Sequence, residues 1–403
     1  MNILILNSGS SSIKFELIDT ECNHQSVKGR IERIGEAESD FNIEWQEDNR
    51  ERKHYQEFTT IADHKTGLRH CINALITIGI IKQLDELDGI GHRIVHGGDV
   101  FTEAVKITDN TLHKIYRLSQ LAPLHNPAGI AGIEVALQLA PAVPQVAIFD
   151  TAFHQTLPPE AYLYALPWEL QQKHGLRRYG FHGTSHQYVT RMTARYLSRP
   201  ENTLNLITLH LGNGASATAI RNGSSVDTSM GLTPLEGLVM GTRSGDIDPS
   251  IPSFLIEHAG YTPIQVGELL NSASGLKGLC GANDMREVLQ LADDGNEQAE
   301  VALKLFCYRI KKYIGAYFAI LGRLDALVFT AGIGEHSSEI RRRCCMDLQH
   351  LGITINAERN RKAISETVEI SDPDADIKVL VVPTNEELEI AQATRHCLNR
   401  CND

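Results

Sequence analysis

The sequence lacks the features that mark membrane-spanning, disulfide-bonded and zinc-binding proteins. No apolar run approaches the roughly 18 residues that a membrane-spanning helix needs, so we expect no membrane partner. The eight cysteines include no Cys-x-x-Cys pair, and their scatter predicts reduced, mainly buried thiols rather than a disulfide framework or a zinc site. The segment from Met1 to Asn7 has no basic residues and is too short for a secretion signal, so we expect a cytoplasmic protein.

Positive charge is also scarce. The chain has 38 lysines and arginines against 50 acidic residues, a net charge of −12, which argues against nucleic acid as a partner. The basic run at 341–343 is predicted to be solvated helix surface. An anionic ligand would need arginines and histidines that locally reverse the negative field, so a site is sought in such clusters.

Several common catalytic motifs are missing. The chain has no Gly-x4-Gly-Lys-Ser/Thr nucleotide loop, no Gly-x-Gly-x-x-Gly dinucleotide pattern and no Gly-x-Ser-x-Gly nucleophile elbow. His92 and His96, like His182 and His186, have a spacing that on a helix would suit a zinc ion. Glycines and β-branched residues in both segments argue against a helix, and neither segment has the glutamate of a zinc hydrolase.

The periodicities that are present predict an α/β protein of two domains, since 403 residues exceed the size at which a single core stops growing, about 250–300 residues. Strands are predicted at 3–6, 13–17 and 26–34, with a further strand around 41–45 in a polar segment that ends near Glu57. Helical patterns then alternate with strands at 89–95 and 146–149. The domain boundary is expected near Asp150.

The second half repeats this opening. A strand at 206–209 turns through 212–214, returns as a strand and turns again at 221–224. A long helix is predicted at 298–322, followed by a buried strand at 327–330. A strand, a glycine turn and a returning strand therefore occur once in each half.

Glycine turns and Arg/His segments are the candidate anion sites. Glycine turns follow strands at 7–12, 212–214 and 332–334, where backbone N–H groups can approach a phosphate without side-chain obstruction. Histidines and arginines cluster in glycine- or proline-flanked segments at 91–98, 123–127, 179–186 and 241–246. Three such turns in a duplicated α/β chain favour a nucleotide ligand.

These residues resemble the acetate kinase family, which belongs with the actin-, sugar-kinase- and heat-shock-type ATPases. The resemblance covers essentially the whole chain, and its specific motifs lie at 7–15, 91–98, 149–154, 178–186, 210–216, 230–249 and 383–387. It implies an α/β fold of two duplicated actin-like (ribonuclease H-like) lobes, each with a βββαβαβα core, and an active-site cleft between the lobes. The N-terminal, carboxylate-binding lobe would comprise 1–150 plus the returning helix 386–403. Residues 151–385 would bind the nucleotide and form a homodimer.

The resemblance also implies roles for individual residues. Catalytic roles fall on Asn7, Arg93, His125, Asp150, His182 and Arg243. Substrate-binding roles fall on Arg93, Val95, Leu124, Phe181 and Pro234. Nucleotide-binding roles fall on Ser12, Lys14, His210, Gly212, Asn213, Gly214, Asp284, Met285, Arg286, Gly332, Ile333 and Gly334. Asn7 and Glu386 would hold Mg²⁺, with Mn²⁺ as an alternative metal.

The implied reaction is reversible, direct in-line transfer of the γ-phosphoryl group of ATP to acetate, giving acetyl phosphate and ADP. A carboxylate acceptor has no proton to lose, so such an enzyme needs positive charge and hydrogen-bond donors rather than a general base. Other short carboxylates are expected partners, and the nearest alternative is a propionate or butyrate kinase of the same fold. A hydrolytic ATPase without an acceptor and a non-catalytic nucleotide-binding module are further alternatives.

Overall fold

The computed structural model describes residues 1–9, 11–22, 24–46, 52–123, 125–362 and 365–400 of the chain. Contacts between residues divide the chain into two compact units. Unit 1 comprises Met1–Ala152 and Asn385–Asp403, and unit 2 comprises Phe153–Thr384. Among the described residues, no helix is both long and apolar enough to cross a membrane.

Unit 1 is built on one mixed sheet. Its strands in the described residues are β1 (Asn2–Ser8), β2 (Ile13–Asp19), β3 (His24–Glu32), β4 (Ser39–Gln46), β5 (Arg52–Thr59), β6 (Gly89–Ile94), β7 (Val105–Lys106) and β8 (Gln145–Phe149). The order across the sheet is β5-β4-β3-β2-β1-β6-β8-β7. Strands β1 to β5 form an antiparallel meander, whereas β1, β6 and β8 are parallel neighbours.

Unit 2 has a second sheet. Its strands in the described residues are β9 (Asn205–Leu211), β10 (Ala215–Arg221), β11 (Ser224–Thr228), β12 (Ala326–Thr330), β13 (Val368–Glu369) and β14 (Lys378–Val381). The order is β11-β10-β9-β12-β14-β13. As in unit 1, the first strand pairs antiparallel with its hairpin partner and parallel with the next long strand.

Helices surround both sheets. In chain order they are α1 (His64–Thr77), α2 (Asp109–Leu118), α3 (Asn126–Leu139), α4 (Pro159–Tyr162), α5 (Trp168–His174), α6 (Gly183–Tyr196), α7 (Ile251–His258), α8 (Pro263–Ser272), α9 (Gly275–Cys280), α10 (Met285–Asp293), α11 (Glu297–Leu321), α12 (Ala331–His336), α13 (Ser338–Cys345), α14 (Ala357–Arg361) and α15 (Glu386–Arg400). Short 3₁₀ turns lie at Leu84–Glu86, Ala152–Thr156, Glu201–Thr203 and Gln349–Leu351. The long predicted helix is α11, one residue away from the expected bounds at each end.

The predicted duplication is confirmed by strand order. The series β3-β2-β1-β6-β8 in unit 1 has the same order and directions as β11-β10-β9-β12-β14 in unit 2. After the last strand of each series the chain passes into the other unit, and the next long helix belongs to that unit and packs on its sheet. Helix α6 follows β8 and packs on β9 and β12, whereas α15 follows β14 and packs on β1, β6 and β8.

Local sequence explains the hairpins. The turn between β10 and β11 is Asn222-Gly223, whose φ angles of 51° and 78° are the paired positive values of a two-residue hairpin turn. Strand β4 alternates buried Phe41 and Ile43 with less buried polar residues, as a half-buried strand should. The single strand expected in the polar segment is in fact two strands, β4 and β5, because the polar residues pair as an antiparallel hairpin.

Three other local predictions were wrong. The segment 332–334 is not a turn but part of helix α12, which begins after β12 at Ala331, a residue with φ of 63°. His186 lies within helix α6 and His182 caps it, although the glycine at 183 argued against a helix. Arg341 is 1% exposed rather than solvated, because its guanidinium donates to the carbonyls of Gly334 and Glu335 and to Asn360.

Cysteines and core residues agree with the sequence analysis. None of the seven described cysteines forms a disulfide, and all but Cys22 and Cys280 are buried. The core of unit 1 has two layers, one on each face of its sheet. One layer lies beneath α1 and α3 and includes Phe15 and Phe41, and the other lies beneath α15 and includes Ile3 and Ile390.

The contact between α15 and β6 depends on glycine. A Cβ atom at Gly91 would lie 2.5 Å from Thr394 Oγ1 and 3.0 Å from Ile390 Cγ2 of α15. We therefore expect Gly91→Ala to push α15 from the sheet at a cost of about 1–3 kcal/mol. The melting temperature, measured by differential scanning fluorimetry, should fall by at least about 2 °C.

Gly267→Ala is the matched control, because nothing lies within 4 Å of a Cβ at this position of α8. Alanine is the better helix former by up to about 1 kcal/mol, so this variant should not melt earlier than the parent protein. Equal melting temperatures for Gly91→Ala and the parent would contradict the close packing of α15.

Candidate active site

In unit 1, three predicted site residues lie where parallel strands end. Asn7 is the last residue but one of β1, Arg93 is the last residue but one of β6, and Asp150 directly follows β8. The register pairs Leu6 with His92 and Arg93 with Ile148. Ligands of open α/β sheets bind outside the carboxyl ends of their strands, which is where these side chains lie.

An ion pair organises this edge of the sheet. Arg93 donates from Nε to Asp150 Oδ1 at 2.9 Å and from Nη2 to Oδ2 at 2.7 Å. Its Nη2 is also 3.6 Å from Glu386 Oε2, at the start of α15. Burial opposes the charge of the guanidinium, but the Asp150 and Glu386 carboxylates together outweigh burial and raise the pKa of Arg93. Asp150 therefore fixes the position of the Arg93 guanidinium. The remaining nitrogen of that group, Nη1, donates to no described residue.

The loop after β6 is held by a reciprocal amide pair. The His96 backbone N–H donates to Asn126 Oδ1, and Asn126 Nδ2 donates to the His96 carbonyl, both at 3.0 Å. Asn126 is the first residue of α3 and is fully buried, so the loop and the start of this helix are fixed together. Half-buried Val95 lies in this loop, and half-buried His125 is the N-cap of α3. Leu124 lies outside the described residues.

The turn between β1 and β2 is the first predicted glycine turn. Gly9 N–H donates to the Ser12 carbonyl at 2.8 Å, and a Cβ at Gly9 would lie 2.7 Å from Ser12 Oγ. Lys14 is exposed and lies opposite Asn7 in the strand register. The structure thus brings Asn7, Ser12 and Lys14 onto one hairpin of unit 1.

In unit 2, four imidazoles cluster beside β9 and β10. His182 and His210 stack with ring centroids 4.2 Å apart, and His186 lies 6.2 Å from His210 and 5.7 Å from His154. Burial lowers the pKa of His154 to about 4 and lowers the pKa of His186 well below its usual value. These two rings are therefore neutral at pH 7 and act as hydrogen-bonding groups.

Hydroxyl groups connect these rings. Ser216 Oγ lies 2.9 Å from His182 Nδ1 and 2.8 Å from His186 Nε2. His210 Nδ1 is 2.8 Å from Ser185 Oγ, which is 3.0 Å from Thr384 Oγ1. The orientation of both His182 and His210 is thus set by buried serines.

The glycine turn at 212–214 lies against the His182 ring and the Arg243 guanidinium. A Cβ at Gly214 would lie 3.5 Å from His182 Nε2 and 3.8 Å from Arg243 Nη1. Arg243 donates from Nη1 to the Pro234 carbonyl at 3.3 Å, but it forms no ion pair with any carboxylate of the described residues. Burial lowers the pKa of Arg243, yet an arginine stays protonated at neutral pH. A half-buried, uncompensated guanidinium beside a glycine turn is a strong site for an anion.

The loop that carries Pro234 and Arg243 is supported by Arg178. Its Nη1 donates to the carbonyls of residues 228, 229 and 230 at 2.9, 3.0 and 3.2 Å, and its Nη2 donates to Glu236 Oε1 at 2.6 Å. Tyr164 also donates to Glu236. Burial opposes the charge of Arg178, but Glu236 and other acidic groups nearby together outweigh burial and raise the pKa of Arg178. Arg178 therefore holds this loop in position. From the sequence, Arg178 was included in a family motif but was assigned no role.

The predicted adenosine residues lie farther along unit 2. Asp284 is the N-cap of α10 and pairs with Arg286, whose side chain is 90% exposed. Gly241 lies between the glycine turn at 212–214 and the segment before α10. A Cβ at Gly241 would lie 1.8 Å from Asn213 Oδ1 and 3.2 Å from the Asn283 carbonyl. Met285 is buried, whereas Gly332 in α12 is exposed with open space around its Cα.

The donor set suits a hard cation better than zinc. No cluster of three or more histidine, cysteine or acidic side chains that could hold a metal is present among the described residues. Magnesium needs only one or two carboxylates, because it keeps several waters and shares phosphate oxygens. Glu386 is 17% exposed, and its neighbour Asp150 is buried. Carboxylate and amide oxygens at this edge, from Glu386 and Asn7, therefore fit Mg²⁺.

Sequence reasoning did not assign roles to His186, Ser216 and Arg178. From the sequence, Ser216 was placed in a predicted strand and His186 in the segment 179–186. Their hydrogen-bond partners could not be identified in this way, because those partners lie on other strands and helices. The contact between Ser216 and His182 therefore becomes apparent only once β10 and α6 are packed together.

Comparisons with known proteins agree across the whole chain. The model of the Acetokinase family matches residues 2–392. The acetate kinase of Syntrophobacter fumaroxidans is 49% identical over 401 residues, covering 99% of this chain and 98% of that protein. Among solved structures, Porphyromonas gingivalis acetate kinase matches with a TM-score of 0.92 at 41% identity, covering 98% of this chain and 99% of that one.

A relative with a different named activity matches almost as well. The structure of a propionate kinase from Francisella tularensis has a TM-score of 0.91 at 43% identity, covering 98% of this chain and 99% of that one. Matches of this identity and coverage confirm the predicted resemblance and the predicted fold. The chain belongs to the acetokinase family.

Proposed function

We propose that the protein is a carboxylate phosphotransferase that moves the γ-phosphoryl group of ATP reversibly to acetate, giving acetyl phosphate and ADP. The observation that carries this proposal is Arg243, a half-buried guanidinium with no carboxylate partner among the described residues. It lies beside a glycine turn and a histidine whose ring faces the same turn. Such a site holds a phosphoryl group without needing a proton acceptor.

Unit 2 is assigned the nucleotide. Backbone N–H groups of the turn formed by Gly212, Asn213 and Gly214 would hold phosphate oxygens, with His210 beside them. Asp284, Met285, Arg286, Gly332, Ile333 and Gly334 would contact adenosine. His182 and Arg243 would stabilise the charge that spreads over the equatorial oxygens of the transferring group.

Unit 1 is assigned the acceptor. Arg93 would hold the acetate carboxylate through Nη1, because Asp150 already occupies its Nε and Nη2. A carboxylate held by a fixed guanidinium attacks as an anion, so no group of the protein has to remove a proton. Val95, Leu124, Phe181 and Pro234 are proposed to contact the alkyl group, and His125 is proposed to support the transferring group. Asn7, Ser12 and Lys14 are assigned to phosphate oxygens of the nucleotide.

The proposed metal is Mg²⁺, with Mn²⁺ as the alternative, held by Glu386 and Asn7 and oriented by Asp150. When bound with ATP, the cation neutralises part of the phosphate charge. Burial raises the pKa of Asp150, and the Arg93 guanidinium opposes that shift. In its ionised form, Asp150 would accept hydrogen bonds from metal-bound water.

We also propose a cytoplasmic homodimer formed through unit 2. Its α7 and α8 expose apolar side chains, with Phe254 60% and Ile264 74% exposed. On α11, Val301 and Tyr308 are 56% and 61% exposed. Helices α7 and α8 are neighbours, and exposed apolar side chains on neighbouring helices are typical of surfaces that bind another protein.

The reaction is tested by trapping acyl phosphate with hydroxylamine in the presence of Mg·ATP and acetate, propionate or butyrate. We expect product with acetate and a lower kcat/KM with propionate, since one methylene in an apolar pocket changes binding by about 1–3 kcal/mol. An equal or higher kcat/KM for propionate would overturn the choice of acetate. Release of ADP without any acid would indicate a hydrolytic ATPase, and ATP binding without turnover a nucleotide-binding module.

The two arginines should affect different kinetic constants. Arg93→Ala should mainly raise the KM for acetate, by about 10–100-fold, because one hydrogen-bonded charge is lost from the acceptor site. Arg243→Ala should mainly lower kcat, by about 10²–10³-fold, because its charge is needed most in the transition state. Initial rates over a grid of acetate and ATP concentrations separate the two effects.

Arg199→Ala is the matched control, because Arg199 is 40% exposed and pairs with Asp325 away from the proposed site residues. Its rate constants should equal those of the parent protein. Circular dichroism should accompany Arg93→Ala, since the change leaves Asp150 buried without its partner. An Arg243→Ala variant that keeps the parent kcat would contradict the assignment of Arg243.

Glu386 is tested through the metal requirement. Glu386→Gln keeps the shape of the side chain but removes its charge, so the Mg²⁺ concentration for half-maximal activity should rise on the order of 10–100-fold. Glu103→Gln is the control, because Glu103 is an exposed acid that pairs with Arg400 at the far end of α15, the helix that begins with Glu386. Identical Mg²⁺ titrations of Glu386→Gln and the parent would remove Glu386 from the metal site.

A further inference from the structure

His182 is the end of a continuous chain of buried hydrogen bonds. Its Nδ1 is 2.9 Å from Ser216 Oγ, Ser216 Oγ is 2.8 Å from His186 Nε2, and His186 Nδ1 is 2.7 Å from Thr208 Oγ1. Ser216, His186 and Thr208 are each 0% exposed. The chain runs through β10, α6 and β9, so it is part of the core of unit 2.

Ser216 is fully buried and makes no other hydrogen bond with the described residues, so its O–H must donate to one of the two rings. With this condition, proton counting leaves two arrangements. His186 is neutral, because burial lowers its pKa well below the usual value, so only one of its ring nitrogens carries a proton. One hydroxyl partner must donate to His186 and the other must accept. Either Thr208 donates and every hydrogen bond points toward His182, or His182 donates from Nδ1 and every hydrogen bond points toward Thr208.

Thr208 distinguishes the two arrangements. Its hydroxyl makes no other hydrogen bond with the described residues, and it has no contact with solvent. In the arrangement that points toward Thr208, its O–H would be buried without an acceptor, which is costlier than a buried oxygen with an unused lone pair. Thr208 therefore donates to His186 Nδ1, His186 Nε2 donates to Ser216, and Ser216 donates to His182 Nδ1.

The surroundings of His182 also oppose a second proton on its ring. His182 is the N-cap of α6, a 14-residue helix, and the positive end of a helix disfavours a cation. The Arg243 guanidinium lies on the same glycine turn as the His182 ring. Among the described residues, the rings recorded beside it are His210, stacked at 4.2 Å, and His186, which is reached through Ser216.

We propose that Ser216, His186 and Thr208 are positioning residues that keep His182 neutral with its proton on Nε2, the nitrogen that faces Gly214. A neutral Nε2–H donates a hydrogen bond to a phosphoryl oxygen without transferring a proton to it. The ring therefore stabilises the equatorial charge and leaves the acyl phosphate as an anion. This inference rests on the proposed function, because it takes a phosphoryl group to be the partner of His182.

The direct test is nitrogen NMR of the protein labelled with ¹⁵N in its histidine rings, without substrates at pH 7. The His182 signals are assigned by their loss in His182→Asn. We expect an unprotonated Nδ1 and a protonated Nε2 for His182. A protonated Nδ1, in either the neutral tautomer or the imidazolium, would overturn the proposal.

Ser216→Ala removes the donor to His182 Nδ1. We expect its His182 signals to shift toward a mixture that includes the Nδ1–H form, and its kcat to fall about tenfold with KM values within about twofold of the parent. Unchanged His182 signals in this variant would contradict the hydrogen-bond chain.

Ser225→Ala is the matched control. Ser225 is also fully buried, and its Oγ lies 2.9 Å from His154 Nδ1, so the same kind of hydrogen bond is lost from a different ring. This variant should keep the parent His182 spectrum and the parent kcat. A loss of activity equal to that of Ser216→Ala, with an unchanged His182 spectrum in both, would show a general packing effect and overturn the proposal.

The two hypotheses fail in different ways. Parent protein that traps no acyl phosphate would overturn the proposed function, while the His182 spectrum would still report the hydrogen-bond chain. Active parent protein with the wrong His182 tautomer would overturn the chain and leave the phosphotransferase assignment in place.

Discussion

Parallel pairing of the central strands is the constraint that positions the candidate site residues within each unit. In unit 1, β1, β6 and β8 run together, so Asn7, Arg93 and Asp150 reach the same edge of one sheet. In unit 2, β9 and β12 pair as far as His210 and Thr330, which places the turn after β9 next to α12. Helices α6 and α15 begin beside these edges and add His182 and Glu386. The positions of these groups therefore follow from strand direction.

Charge is distributed differently over the two edges. Arg93 is neutralised by Asp150 and lies near Glu386, so its edge presents both signs, as needed for an acceptor carboxylate and a cation. Arg243 has no acidic partner among the described residues, so its edge is positive and suits phosphate. In a protein of net charge −12, the two edges therefore differ in local charge, and an anion would be favoured where the positive charge is not compensated.

Much of the fold was predictable because local patterns are strong. The hairpin turn at Asn222 and Gly223 and the long helix α11 follow from turn chemistry and apolar periodicity. The errors had two different causes. Long-range packing buries Arg341, because Asn360 and residues of α12 supply its acceptors. At 332–334 the cause is local: the chain turns at Ala331, whose φ is 63°, and this residue already begins α12.

The sequence by itself determined the fold class, the duplication, the family resemblance and the residue types of the candidate site. These depend on periodicity and on motifs whose residues are neighbours in the chain. Only the tertiary structure decided which of those residues act on one another. Arg93 and Asp150 are 57 positions apart, and His182 and Ser216 are 34 apart. A hydrogen bond depends on distances of about 3 Å between atoms, and such distances between remote segments are set only when strands and helices pack.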